Sequence, residues 1–180
     1  MKLVCFGDSN TWGFDPRSFL GDRYNDPWPS VLSKKLGCPV INLGENGQEI
    51  PRYPMRFPAD TDLLIVMLGT NDLLRGRAPA AVCRSMGLFL KALGMELQKI
   101  LLLSPPLMKL GAWVQDPALI SNSVELASAY HHLAQSFGTH FADTTAWDLA
   151  LSFDGVHLTA EAHRVFAENL YSLLKKENVI

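Results

Sequence analysis

The chain is poor in cysteine, with three among its 180 residues. An odd number of cysteines excludes complete pairing, and their spacing fits neither a disulfide framework nor a zinc site. Free thiols are typical of a reducing compartment, so we expect a cytoplasmic protein. The cysteines are Cys5 in a predicted strand, Cys38 in a turn and Cys83 on a predicted helix.

Long hydrophobic runs and runs of basic residues are also missing. No segment approaches the length of a membrane span, and the apolar run after Lys2 is too short for a secretory signal sequence. The formal net charge is −2, and the chain lacks the basic patch that nucleic-acid binding needs. We therefore expect no membrane and no nucleic acid among the partners of this chain.

The sequence contains no internal repeat, low-complexity stretch or flexible linker. A chain of this length buries enough surface for one core that needs no disulfide and no metal. These features predict a single domain over residues 1–180, without a metal or a cofactor. They leave the oligomeric state open, a homo-oligomer included.

Short apolar runs separated by amphipathic segments predict an α/β fold. The runs are mostly continuous rather than alternating, which is typical of strands covered on both faces. Helices are predicted from Pro79, from a cap at Ser121 or Ser123, and from a cap at Thr159. We expect a three-layer α/β/α sandwich around a five-stranded parallel sheet. The predicted strands are Leu3 to Phe6, Val40 to Leu43, Leu63 to Leu68, Ile100 to Leu103 and His140 to Ala142.

Ser9 follows the first predicted strand, in the run Gly7-Asp8-Ser9. Gly7 permits a sharp turn at the carboxyl end of the strand, where open parallel sheets bind their ligands. Ser9 is therefore a candidate nucleophile. An ordinary turn, in which Asp8 or Ser9 caps free backbone N–H groups, explains the same residues equally well. We expect Asp8 to hold the turn in this way.

Other polar residues lie near the ends of later predicted strands. Gly44 and Gly47 lie in the loop after the second strand, and Asn71 follows the third. Asp154 and His157 lie in one loop ahead of the last helix, which supplies a base and an acid to orient it. Right-handed crossovers bring the carboxyl ends of parallel strands to one edge, so we expect these residues to converge there.

The order of a serine, a glycine, Asn71 and then Asp154 with His157 resembles the four-block pattern of the SGNH, or GDSL-type, esterase and lipase family. The resemblance runs from Phe6 almost to the C-terminus and is strongest to the small bacterial arylesterase and acyltransferase branch. It implies the flavodoxin-like SGNH hydrolase fold and a serine esterase that acts through an acyl-enzyme. Asn10 departs from the pattern, since many relatives have leucine there, and we expect it not to touch the chemistry.

The resemblance implies a serine triad. Ser9 attacks the ester carbonyl, and a neutral His157 takes the serine proton, because a hydroxyl is a poor nucleophile at neutral pH. Asp154 accepts a hydrogen bond from the other ring nitrogen and stabilises the imidazolium that forms.

The resemblance also implies an oxyanion hole. The backbone N–H groups of Ser9 and Gly47 and the side-chain amide of Asn71 are its predicted donors. Counting from Asn42 favours Gly47 as the oxyanion glycine, and Gly44 stays an alternative.

Apolar side chains beside these blocks indicate the kind of substrate. Four apolar residues flank the predicted catalytic residues, namely Trp12, Phe14, Phe153 and Val156, and the long loop after the fourth strand carries Met108, Leu110 and Trp113. They indicate an apolar acyl or aryl pocket, with Trp12, Phe153 and Val156 as the candidates for substrate binding. Packing of the loops against the body is the alternative for each of them. The chain has few long insertions to build a large lid, which favours small esters with short acyl groups. The sequence does not decide whether water or an alcohol accepts the acyl group.

Two other functions use the same residues. Asp8, Asn71, Asp72, Asp154 and His157 can ligate two metals, as in metal-dependent phosphoesterases, although such sites usually recruit several histidines. Alternatively, the segment 9–13 after the first strand can cradle a phosphate in a non-enzymatic flavin- or phosphate-binding module. That interpretation leaves the histidine without a part.

Overall fold

Five parallel strands form one sheet in the order β2-β1-β3-β4-β5. The computed structural model describes residues 1–18 and 20–179, so Phe19 and Ile180 of the predicted domain lie outside the described residues. The five-stranded parallel sheet is confirmed, and each predicted strand agrees with the observed one to within one residue at either end. The single domain over residues 1–180 stays a prediction. The strands are β1 (Leu3–Gly7), β2 (Val40–Gly44), β3 (Leu63–Met67), β4 (Ile100–Leu103) and β5 (His140–Ala142).

Helices cover both faces of the sheet. They are α1 (Ser9–Trp12), α2 (Trp28–Leu36), α3 (Thr70–Leu74), α4 (Pro79–Ala92), α5 (Pro117–Phe137) and α6 (Ala160–Lys176), with short 3-10 turns at Leu97–Lys99 and Thr144–Ala146. Within the described ranges, no helix is both long and apolar enough to cross a membrane.

Two hydrophobic cores lie on opposite faces of the sheet. In β1, Leu3 and Cys5 belong to the core shared with α2 and α6, whereas Val4 and Phe6 belong to the core shared with α4 and α5. Successive side chains of a strand point to opposite faces, so a strand buried on both faces is apolar throughout. The predicted three-layer α/β/α sandwich is therefore confirmed.

The helix starts show where the sequence interpretation was right and where it was wrong. Thr159 caps α6, as predicted. The cap predicted at Ser121 or Ser123 for α5 is wrong, because Asp116 caps this helix and Pro117 is its first residue. An aspartate followed by proline is a strong start signal, since the carboxylate accepts from the free N–H groups and proline lacks the N–H that goes unpaired there.

The strands β1, β2 and β3 end level with one another. Gly7 pairs in register with Gly44 on one side and with Met67 on the other. The segments that follow these strands therefore leave the sheet at the same edge. This edge carries Ser9, the loop 45–50 and α3.

Candidate active site

Ser9 is the first residue of α1, directly after the turn that ends β1. Asp8 caps this helix, as predicted, and its Oδ1 accepts a hydrogen bond from the Asn10 N–H at 3.0 Å. Burial raises the pKa of Asp8 to about 6, although the Asn10 N–H and the nearby His157 favour its carboxylate form. The Ser9 side chain is thereby presented at the sheet edge on a short, tightly held turn.

Ser9, His157 and Asp154 form a continuous chain of hydrogen bonds. The Nε2 atom of His157 lies 2.9 Å from Ser9 Oγ, and its Nδ1 atom lies 2.6 Å from Asp154 Oδ2. All three residues are buried. A serine hydroxyl, an imidazole and a carboxylate in this order allow the imidazole to take the serine proton.

The loop that carries Asp154 is built to keep its carboxylate ionised. Its Oδ1 accepts the N–H groups of Val156 and His157 at 2.9 and 3.0 Å. Burial opposes ionisation, but the hydrogen bonds from the His157 ring and from these two backbone groups outweigh it and lower the pKa of Asp154. An ionised carboxylate only accepts, so the ring proton is on His157 Nδ1 and Nε2 is free to accept from the serine.

A second loop, residues 109–114, packs against the first. The N–H of Trp113 donates to the carbonyl of Asp154 at 3.0 Å. Gly155 makes this packing possible, because its φ is +80° and a Cβ there would lie 2.0 Å from the Lys109 carbonyl oxygen. The contact brings the indole of Trp113 beside His157, with ring centroids 5.0 Å apart.

A small pocket of about 140 Å³ opens beside Ser9. The rings of Phe14 and Trp113 both lie against the imidazole, Phe14 with its centroid 4.7 Å away. Aromatic rings, amide groups and the hydrogen-bonded Ser9 and His157 thus share one cavity. Its lining residues are Ser9, Phe14, Asn46, Gly47, Asn71, Trp113 and His157.

The geometry separates the two candidate glycines. Gly44 donates its N–H to Asn42 Oδ1 at 2.9 Å, and a Cβ on it would lie 2.2 Å from the Trp12 backbone nitrogen. Gly44 therefore serves the packing of β2 against α1. Gly47 instead lines the pocket with Ser9 and Asn71.

The amide of Asn71 is oriented by the loop opposite. Its Nδ2 donates one hydrogen to the Gln48 carbonyl at 3.1 Å. A side-chain amide carries two N–H donors, so the second stays available to a ligand in the pocket that Asn71 lines.

The ion pair of Asp72 with Arg77 also holds the loop 45–50. Asp72 is fully buried; its Oδ2 accepts the Ile50 N–H at 3.1 Å and its Oδ1 pairs with Arg77. Burial raises the pKa of Asp72, although the Ile50 N–H and the Arg77 guanidinium favour its charged form. Arg77 also donates to Ser85 Oγ at 2.6 Å and so ties α4 into the network.

The expected substrate-binding residues do not line the small pocket. The Arg23 guanidinium lies over the Trp12 indole, 5.5 Å from the centroid of the indole ring. Val156 is buried in the hydrophobic core, and Phe153 is 63 % exposed. The aromatic side chains that do line it are Phe14 and Trp113. The sequence places Phe14 beside Ser9 and Trp113 in the loop after β4, but it does not show that these two residues line the pocket, because each reaches the site through a loop whose path depends on contacts distant in sequence.

The acidic candidate metal ligands make hydrogen bonds and ion pairs with other residues of the protein. In residues 1–18 and 20–179, no group of three or more histidine, cysteine, aspartate or glutamate side chains is placed to hold a metal ion. Asp8 caps α1, Asp72 holds Ile50 and Arg77, and Asp154 holds the loop that carries His157.

Comparison with known structures and families agrees with this geometry. The sequence profile of the GDSL-like lipase/acylhydrolase family matches residues 5–165. A structure from Agrobacterium tumefaciens str. C58, assigned provisionally as an arylesterase, is 28% identical, with a TM-score of 0.82 over 97% of this chain and 98% of that one. A carbohydrate acetylesterase family member from Sinorhizobium meliloti is 26% identical, with a TM-score of 0.79 over 97% of both chains.

A third structure, the native aryl esterase of M. smegmatis, is 23% identical, with a TM-score of 0.80 over 97% of this chain and 98% of that one. It supports the SGNH hydrolase fold. No curated protein sequence matches the chain. Because the family profile spans most of its length, the chain belongs to the GDSL-like lipase/acylhydrolase family and is a serine esterase, a carboxylic ester hydrolase acting on small esters.

Proposed function

We propose that Ser9 is the nucleophile of this esterase, with His157 as its general base and Asp154 as the residue that orients the base. The observation that carries the proposal is the chain of hydrogen bonds from Ser9 Oγ through the imidazole to the Asp154 carboxylate. Positioned proton transfer of this kind contributes about 10²- to 10⁴-fold to the rate.

The reaction follows from the proton positions. Ser9 Oγ attacks the ester carbonyl while its proton passes to His157 Nε2, and the carbonyl π electrons move to the oxygen. The tetrahedral intermediate then collapses, the imidazolium gives its proton to the departing alkoxide, and the alcohol leaves an acyl group on Ser9. Water repeats the sequence in the second half and releases the acid.

We propose three donors for the developing oxyanion: the N–H groups of Ser9 and Gly47 and the Nδ2 of Asn71. All three residues line the pocket, and the Gly47 loop is held by Asn71 and Asp72. Donors fixed before the reaction stabilise the transition state without reorganising. Gly44, whose N–H is already bonded to Asn42, is the weaker alternative.

We propose short acyl groups as substrates. The pocket of about 140 Å³ is close in size to a protein cavity that holds benzene, roughly 150 Å³. A separate groove of about 550 Å³ runs along residues 45–53 and shares Asn46 and Gly47 with the pocket. An acetyl or propionyl group therefore fits the pocket, while a larger alcohol extends out of it, along the exposed part of Trp113 or into the groove.

The structural relatives support both kinds of alcohol, since they include an aryl esterase and a carbohydrate acetylesterase family member. Transfer of the acyl group to an added alcohol uses the same acyl-enzyme.

The unpaired Cys5, Cys38 and Cys83 support the predicted cytoplasmic location. The oligomeric state stays open, a homo-oligomer included, and light scattering measures it.

A fluorophosphonate probe tests the nucleophile. We expect one adduct on the Ser9 peptide by mass spectrometry and none in Ser9→Ala; an adduct that persists in the variant overturns the assignment. Hydrolysis of p-nitrophenyl acetate, butyrate and octanoate tests the acyl size. We expect the highest kcat/KM for acetate, and a maximum at octanoate contradicts the proposed pocket.

A further inference from the structure

The side chain of Asn10 joins the turn that carries Ser9 to the loop that carries His157. Its Nδ2 donates to the carbonyl of Val156 at 3.1 Å, and its Oδ1 accepts the N–H of Leu158 at 2.8 Å. Asn10 is 2% exposed. The two bonds therefore hold the backbone on either side of His157. This contact was not anticipated from the sequence, where Asn10 was expected not to touch the chemistry.

The other backbone bonds around His157 fix the shape of its loop. The N–H groups of Val156 and His157 donate to Asp154 Oδ1, and the His157 carbonyl accepts the Ser152 N–H at 2.7 Å. All these bonds lie within residues 152–157. They leave the distance between this loop and the end of β1 undetermined.

The link to the nucleophile is of a different kind. Within the described part of the chain, three hydrogen bonds join α1 to this loop: the Ser9–His157 bond itself and the two made by Asn10. Asn10 is the residue after Ser9, and its own N–H is held by Asp8 at 3.0 Å. Its amide and the Ser9 hydroxyl are therefore spaced by one rigid turn of backbone.

An amide is well suited to this position. It offers a donor and an acceptor from one planar group, and the Val156 carbonyl and the Leu158 N–H need one of each. A leucine of similar size offers neither and leaves both buried backbone groups unpaired. Displacing a catalytic group by about 1 Å can cost about 10²-fold in rate.

We propose that Asn10 is a positioning residue, which sets the separation of Ser9 Oγ and His157 Nε2 and thereby the rate of Ser9 acylation. The inference rests on the proposed function, in which His157 takes the Ser9 proton. Asn10 acts through the backbone on either side of His157, so it affects proton transfer more than substrate binding.

The test compares Asn10→Leu with the parent enzyme on p-nitrophenyl acetate, at a temperature where thermal unfolding shows both to be folded. We expect kcat to fall about 10- to 100-fold with KM changed by less than about twofold. The second-order rate of Ser9 labelling by fluorophosphonate should fall by a similar factor. Asn10→Ala serves as a second variant that should fold more readily, because the space it leaves admits a water that can pair with both backbone groups. A water does not fix the loop to the turn that carries Ser9, so we expect a loss of kcat in this variant as well.

A matched control separates positioning from stability. Asn42 also makes two side-chain bonds to the backbone, to the Thr11 carbonyl and from the Gly44 N–H, both at 2.9 Å, but on the β2 side of α1. We expect Asn42→Leu to lower Tm and to leave kcat within about threefold of the parent.

The outcomes are distinguishable. A folded Asn10→Leu or Asn10→Ala with a parental kcat overturns the positioning role, as does an equal loss of kcat in Asn42→Leu. Full activity of Ser9→Ala, measured alongside, overturns the proposed function itself. A loss of kcat confined to the Asn10 variants, with Ser9→Ala inactive, is the expected result.

Discussion

The indole of Trp113 stands nearly perpendicular to the imidazole of His157, at 82° and with ring centroids 5.0 Å apart. The pocket beside Ser9 is thus bounded by an aromatic wall that also touches the proposed base. Aromatic pairs of this kind contribute about 0.5–1.5 kcal/mol beyond the area they bury. A substrate ring placed against Trp113 gains the same contact.

We expect Trp113→Ala to raise KM for phenyl acetate by about five- to tenfold and to change KM for ethyl acetate less, because ethanol has no ring to lose the contact. Trp113→Phe should recover most of the loss. Leu110→Ala is the control, since Leu110 is exposed on the same loop and outside the pocket lining. Equal effects of Trp113→Ala on the two esters would show that the indole does not bind the aryl group.

The proposed oxyanion hole predicts a ranking of variants. Removing one such donor typically lowers turnover about 10²- to 10³-fold, so Asn71→Ala should be severe yet less damaging than Ser9→Ala, which removes the nucleophile. Steady-state kinetics on p-nitrophenyl acetate, with circular dichroism to verify folding, measures both. A folded Asn71→Ala that turns over like the parent refutes the assignment of Asn71 to the oxyanion hole.

The sequence predicted the framework of this site because its signals are local. Each strand is a continuous apolar run, and Ser9, Asn71 and the Asp154–His157 loop follow directly from elements that can be recognised one at a time. The parallel topology then brings them to one edge, since strand ends such as Gly7, Gly44 and Met67 align.

The rest of the site depends on contacts between loops. Trp113 reaches His157 because Gly155 lets two backbones approach closely, and Asn10 reaches Val156 and Leu158 across 146 and 148 residues of sequence. Neither contact leaves a periodic pattern. The start of α5 could have been predicted from the sequence, because Asp116 and Pro117 form a strong helix-start signal. The later serines are weaker candidates for the cap.

The ion pair of Asp72 with Arg77 predicts a stability difference between two neighbouring arginines. Removing one partner of a buried pair leaves an uncompensated charge, so Arg77→Met should lower the free energy of unfolding by about 3 kcal/mol. Arg75 pairs with Glu49 on the surface, and Arg75→Met should change it by less than about 1 kcal/mol. Urea unfolding at pH 7 measures both, and similar values for the two variants contradict the structural role of the buried pair.

His163 predicts a loss of stability in acid. His163 is buried, and its Nδ1 accepts a hydrogen bond from the backbone N–H of Trp28 at 3.3 Å. Burial lowers the pKa of His163 from 6.5 to about 4. Between these values the unfolded chain binds a proton that the folded protein does not, so stability falls as pH falls, by about 3 kcal/mol in full.

An asparagine Oδ1 can replace Nδ1 as the acceptor for the Trp28 backbone N–H, so His163→Asn should remove the His163 contribution to the pH dependence without removing the bond, and its stability relative to the parent should rise as the pH falls. Urea unfolding at pH 7 and pH 4.5 measures the change. The exposed His132 is the control, because His132→Asn should leave the pH dependence as it is in the parent. A parent and a His163→Asn variant with identical pH dependence contradict the buried neutral form of His163.

Asp8 changes stability with pH in the direction opposite to His163. Burial raises its pKa from 3.8 to about 6, so the folded protein binds a proton in this range that the unfolded chain has already lost. Stability therefore falls as pH rises, and the ionised carboxyl costs about 3 kcal/mol at pH 7. In the parent, the contributions of Asp8 and His163 to the pH dependence of stability largely offset each other between pH 4 and pH 6.

Asparagine in place of Asp8 keeps an acceptor for the Asn10 N–H and carries no charge. Asp8→Asn should thus unfold at higher urea than the parent at pH 7, with the gain shrinking below about 1 kcal/mol at pH 4. The variant should also show a steeper acid loss, because the His163 term is then unopposed. A gain of equal size at both pH values would mean that folding does not raise the pKa of Asp8.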